Sequence, residues 1–142
     1  MAFVKVESKF STENQALYKN LLGSDVKVGE FGSWYVDESI NAHLFNYGGR
    51  GEMPEELGMP ANTSLLVINK TIYHIEYREK LTEVHDRAYV ITFSICRFSV
   101  KGEEVLPRPD VYKILQQALF DYIQVRKEAY INAGHKFSVV LS

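Results

Sequence analysis

One cysteine, one tryptophan and four prolines are all that the 142-residue chain holds of these types. With Cys96 alone, an intrachain disulfide is excluded, so the fold must rest on its hydrophobic core. A free cysteine within the apolar run Tyr89–Phe98 is expected to behave as a small buried hydrophobe, and a chain without disulfides fits a reducing, cytoplasmic setting. No apolar stretch approaches the ~20 residues of a membrane span, and no basic segment followed by an apolar one marks the start as a secretion signal. No charge of either sign dominates: 16 basic against 18 acidic residues leave a net charge of −2. Neither nucleic acid nor a membrane is therefore expected as a partner.

The chain also lacks the motifs that announce catalysis. His43, His74, His85 and His135 fall into no zinc spacing. There is no G-x-S-x-G elbow and no P-loop or dinucleotide fingerprint. Gly48-Gly49-Arg50-Gly51 is glycine-rich, but its acidic surroundings argue against a phosphate cradle. His74, Glu76 and Arg78 share one face of a strand, which suits either a polar site or a solvated face of alternating charge. A Cys96–His74 pair depends on a strand register that sequence does not reveal. No catalytic residue, metal or cofactor is assigned.

What is present is an ordinary globular composition, 46% hydrophobic and 24% charged, of a size suited to one domain, residues 1–142. Residues 3–7 read as a short strand. Ser11 or Thr12 caps a helix carrying Leu17, Leu21 and Leu22, with Gly23 as its stop. A strand over 25–36 is interrupted by Gly29 and Gly32. Residues 37–60 read as a long loop with a short strand at Ala42–Tyr47. Strands follow at 64–69 and 71–81, the second placing Tyr73, Ile75 and Tyr77 on one face. Residues 87–100 are apolar on both parities and read as a central strand covered on both sides. Pro107 and Pro109 introduce a long helix, with Asp110 as its cap, running to about Ala133 and stopped by Gly134. His135–Leu141 forms a last strand. The fold expected is α+β: a mainly antiparallel, twisted sheet of about five strands, a short N-terminal helix and a long C-terminal helix packed on the sheet.

Two features suggest a binding surface. The long helix carries one stripe of Val111, Ile114, Leu115, Ala118, Tyr122, Val125 and Ala129. A second apolar group, Tyr112, Phe120, Ile123, Tyr130 and Ile131, with Lys127 among it, reads as a separate face available for a second copy or another protein. The charge is also uneven. Residues 1–60 hold 5 basic and 9 acidic residues (net −4), and residues 61–142 hold 11 and 9 (net +2). Trp34, Tyr35, Asp37, Glu38, Phe45, Tyr47, Arg50, Glu52, Glu55 and Glu56 thus form an acidic, aromatic candidate surface for a basic partner protein. The function expected is a non-enzymatic protein-binding module of inhibitor, immunity or adaptor type, with homodimerisation through the helix. The alternative is a small-molecule-binding protein or enzyme, with a pocket between sheet and helix lined by Tyr73, Tyr77, Tyr89 or Phe93.

Overall fold

A computed structural model describes residues 2–23, 31–47 and 62–142. The described residues form an α+β fold around one sheet of eight strands: β1 (Val4–Lys5), β2 (Ser33–Asp37), β3 (Ala42–Tyr47), β4 (Asn62–Ile68), β5 (Thr71–His85), β6 (Ala88–Val100), β7 (Glu103–Glu104) and β8 (Lys136–Leu141). Three helices accompany it among these residues: α1 (Thr12–Leu22), α2 (Pro109–Arg126) and α3 (Glu128–Asn132). Strands β1 to β7 follow one another antiparallel across the sheet. After the crossover through α2 and α3, β8 lies parallel to β6, Ala88 opposite Lys136 and Phe93 opposite Leu141. The sheet is thus larger than the five strands expected: β1 falls within the strand read at 3–7, whereas β7 is a two-residue pairing too short to leave a periodic signal. Of the strand expected over 25–36, residues 33–37 form β2, and residues 24–30 lie outside the described residues.

Alternation divides the side chains between two apolar clusters. Tyr35, Leu44, Leu66, Ile75, Tyr77, Phe93 and Phe98 face α2 and join Val111, Leu115, Ala118, Leu119 and Ile123. Trp34, Phe45 and Val67 face the other way and meet Tyr18 of α1 and Phe31. The α1 N-terminus is fixed by Ser11, whose side chain accepts from the Asn14 amide. At α2 the expected Asp110 cap is replaced: Arg108 occupies the cap position without a side-chain bond, Pro109 opens the helix, and Asp110 stands in the first turn. There its carboxylate still complements the helix dipole.

Three further expectations are corrected. The strand expected at 71–81 runs on to His85, pairing with β6 as a long ribbon. Strand β6 is apolar on both parities for a local reason. Glu76 pairs with Arg97 and Tyr77 with Ile95, so Cys96 is an extra residue, a β-bulge. The bulge brings Phe98 to the α2-facing side that Ile91 and Phe93 occupy, and Cys96 itself is exposed. The helix expected to reach Ala133 ends at Arg126. Lys127, with φ −100° and ψ 15°, separates it from the one-turn α3.

The two apolar groups of the helix also prove to adjoin. Leu119 lies about 80° and Ile123 about 120° round the helix from Val111, and both are fully buried. They widen the one stripe that packs on the sheet rather than building a separate outer face.

Candidate functional site

The acidic, aromatic candidates divide by strand parity. Trp34 and Phe45 are cross-strand neighbours, 1% and 0% exposed, with rings stacked at 5.1 Å. Both pack on Phe31 beneath α1. Tyr35 points to the opposite core and meets Tyr122 edge-on at 5.6 Å. These three rings are core residues, a correction to their placement on a surface: β2 and β3 lie between neighbouring strands and are covered on both faces. Asp37 is buried as well. Its carboxylate accepts from the Ser39 amide and hydroxyl, capping the single helical turn Glu38–Ile40. Glu38 is exposed, and Tyr47 is half-buried against Phe31. Arg50, Glu52, Glu55 and Glu56 lie outside the described residues.

The helix candidates also separate. Ile123 is fully buried, a correction for a residue expected at an interface. Tyr112 and Phe120 are half-buried and line shallow grooves with Lys113 and Gln116, the Phe120 groove closed on its far side by Val139. Lys127, Tyr130 and Ile131 belong to the segment beyond the helix break.

What the structure adds is a ring platform at that break. Phe137, the second residue of β8, stacks on its register partner Tyr89 at 5.0 Å. Tyr89 stacks on His135 at 5.6 Å, and its hydroxyl lies 3.1 Å from His135 Nδ1. Tyr130 meets His135 edge-on at 5.9 Å and is 56% exposed. The Lys127 ammonium sits 5.5 Å from the Tyr130 ring and 5.8 Å from Phe137, within cation–π range. Next to it the tip of the β5–β6 ribbon, residues 81–87, is exposed throughout, Leu81 and Val84 included. Sequence reasoning missed this platform because it depends on parallel pairing between strands 48 residues apart in the chain, which no local pattern signals.

The platform continues along the outer margin of β8. Its even-numbered residues bond toward β6: Lys136 donates to Arg87 O and Ser142 to Phe93 O. Phe137 and Val139 therefore turn their carbonyls outward, where the side-chain amides of Gln124 and Gln116 donate to them at 3.3 Å. Helix α2 thus covers acceptors that an edge strand would otherwise leave open to pairing. The resulting flank combines Tyr112, Phe120 and Tyr130 with Lys113 and Lys127.

A second cluster lies inside, between β3–β5 and the end of α2. The Ser64 hydroxyl bridges the Asn46 side-chain carbonyl and the Tyr77 hydroxyl. Nearby, Arg126 donates to Glu79 at 2.6 Å and to the Tyr122 hydroxyl at 2.9 Å. Burial pushes the Tyr35 phenol up to about 12 and raises that of Tyr77 as well, so both stay protonated donors at neutral pH. Of the residues expected to line a pocket, Tyr77 and Phe93 pack edge-on at 5.2 Å, Tyr73 lies on Phe98, and Tyr89 belongs to the platform.

Cys96 lies at the bulge, opposite the Glu76–Tyr77 step, whereas His74 pairs with Ser99. Register thus separates the thiol from the imidazole. Among the described residues, no three or more His, Cys, Asp or Glu side chains converge as metal ligands, and no helix is long and apolar enough to cross a membrane. Comparison with known proteins finds no matching family, no similar curated protein and no similar solved structure.

Proposed function

We propose that the protein is a non-enzymatic protein-binding module, of inhibitor or adaptor type, whose partner docks on the flank formed by α2, α3 and β8. The observation that carries this reading is the ring platform Phe137–Tyr89–His135–Tyr130, with its outermost ring 56% exposed. Tyrosine anchors braced by buried neighbours lose little conformational freedom on binding and dominate interface energetics. The sheet edge beside them is already half covered by Gln116 and Gln124, which favours side-chain docking over strand addition.

The acidic residues that suggested a basic partner lie mostly outside the described residues. The flank itself presents Lys113 and Lys127, so its complement is an apolar surface with an acidic rim. A second copy of the chain is the competing occupant.

The experiment is a capture from native lysate with wild type and with Tyr130→Ala and Lys127→Glu side by side, plus light scattering of the purified protein. A partner retained by wild type and weakened at least about tenfold by either variant supports the assignment, since truncating an anchor costs about 2 kcal/mol. A partner bound equally by all three places the interface elsewhere. A dimer dissociated by the same variants assigns the flank to self-association.

A further inference from the structure

Among the described residues, the sheet face that α1 packs against is only partly covered. At ~1.5 Å per residue the 11-residue helix is about 16 Å long, and its apolar cluster reaches no further than Leu65, Val67 and Ile72. Beyond that limit lies a cleft of about 540 Å³, within the range of small-ligand sites. Its apolar wall is Leu65, Ile72 and Val100, and its rim carries Lys70, His74 and Lys101.

Two tight turns aim the rim. Asn69 and Lys70 are both left-handed (φ 47° and 72°), as are Lys101 and Gly102 (φ 53° and 82°), the geometry of two-residue hairpin turns. Because His74 pairs with Leu65 on one side and Ser99 on the other, both turns fall at the same end of the sheet. The second turn is held by Arg97, which donates to Gly102 O at 2.9 Å.

Among the described residues, no carboxylate lines the cleft. Of the described acids beside it, Glu104 pairs with Arg97 at 3.9 Å, Glu76 stands opposite Arg97 in register, and Glu103 stands opposite Val100 on β7. Neither lysine takes part in an ion pair among the described residues. The result is apolar surface bounded by positive charge on an otherwise mixed molecule.

We propose that this cleft binds a small amphiphilic organic anion, its hydrocarbon body against Leu65, Ile72 and Val100 and its acidic group between Lys70 and Lys101. The site lies on the opposite sheet face from the α2 flank and stands independently of the protein-binding reading.

The test titrates the intact protein with anilinonaphthalene sulfonate, an aromatic body bearing one sulfonate, and with uncharged phenylnaphthylamine. The comparison variant carries Lys70→Asn and Lys101→Asn, since asparagine tolerates the left-handed backbone at both positions. Tyr130→Ala serves as a control at the flank, and circular dichroism confirms that each variant is folded. The expected result is saturable sulfonate binding by wild type that weakens about fivefold or more in the double variant and with added salt. Binding of the neutral probe stays unchanged, and Tyr130→Ala binds as wild type does. Equal sulfonate affinity in wild type and double variant, or a loss caused by Tyr130→Ala instead, overturns the proposal.

Discussion

The buried pair Trp34–His43 shows how one proton position enters the stability of the fold. The indole N–H donates to His43 Nδ1 at 3.1 Å, so that nitrogen must be the unprotonated acceptor. Burial lowers the His43 pKa below its ordinary value, with Glu38 opposing the shift only in part. A lowered folded-state pKa means that the unfolded chain takes up the proton first. The stabilisation is therefore complete above about pH 6.5 and is lost as pH falls through the folded value. Thermal midpoints are expected to decline from pH 7 to 5, more steeply in wild type than in His43→Gln. Trp34→Phe leaves the buried imidazole unpaired and should cost about 1–3 kcal/mol in denaturant unfolding. Asp121 is the second such residue. Fully buried, its carboxylate accepts from the Phe3 amide at 2.8 Å and the Gln117 side chain at 3.1 Å, tying β1 to α2. Asp121→Ala is expected to cost a similar amount and to speed amide exchange first at residues 3–5. Neither role was legible beforehand: His43 and Asp121 sit in patterns that identify a strand and a helix without naming the partner across the core.

Elements were legible where their period is long and uninterrupted. α1, β3, β4 and most of β5 and β6 stand where alternation or capping residues place them, because local sterics decide those conformations. The bulge at Cys96 is where periodicity misleads. A strand with apolar residues on both parities reads as buried twice, but a single extra residue produces the same pattern by turning Phe98 onto the face of Phe93. The two interpretations differ in a measurable way. A cysteine in a doubly covered strand is shielded, whereas Cys96 at the bulge is exposed. Native protein is expected to react with a thiol reagent within about an order of magnitude of the rate for the unfolded chain. Protection by several orders of magnitude would restore the covered strand. The long helix errs for a related reason: two apolar groups read as separate faces are joined through Leu119, and a helical wheel does not show how wide a stripe the sheet buries.

At the scale of the whole molecule, the last strand closes the sheet. Among the described residues β8 is the only parallel member and reaches β6 after an intervening hairpin, α2 and α3, so its pairing is the most distant step of the described topology. Sequence identified the strand but not its neighbour, because parallel pairing across a helix leaves no turn signal. The ring platform, and with it the candidate surface, was hidden for the same reason. This placement makes β8 decisive for stability. Phe137 and Val139 are 8% and 6% exposed, and burying two such side chains contributes about 3–6 kcal/mol, a large part of the 5–15 kcal/mol typical of a domain. A chain truncated before Lys136 is therefore expected to lose cooperative unfolding and to aggregate through the uncovered margin of β6. Ser138 allows a gentler test. Its side chain is exposed, while its even position directs its backbone toward β6. Ser138→Ala, which removes only the exposed 3.3 Å bond from the Ser138 hydroxyl to Tyr89 O, should cost about 1 kcal/mol or less. Ser138→Pro removes a ladder donor and should cost several times more. Equal, small effects of both substitutions in denaturant titrations would show that β8 does not pair with β6 as described, and would dismantle the platform built on that pairing.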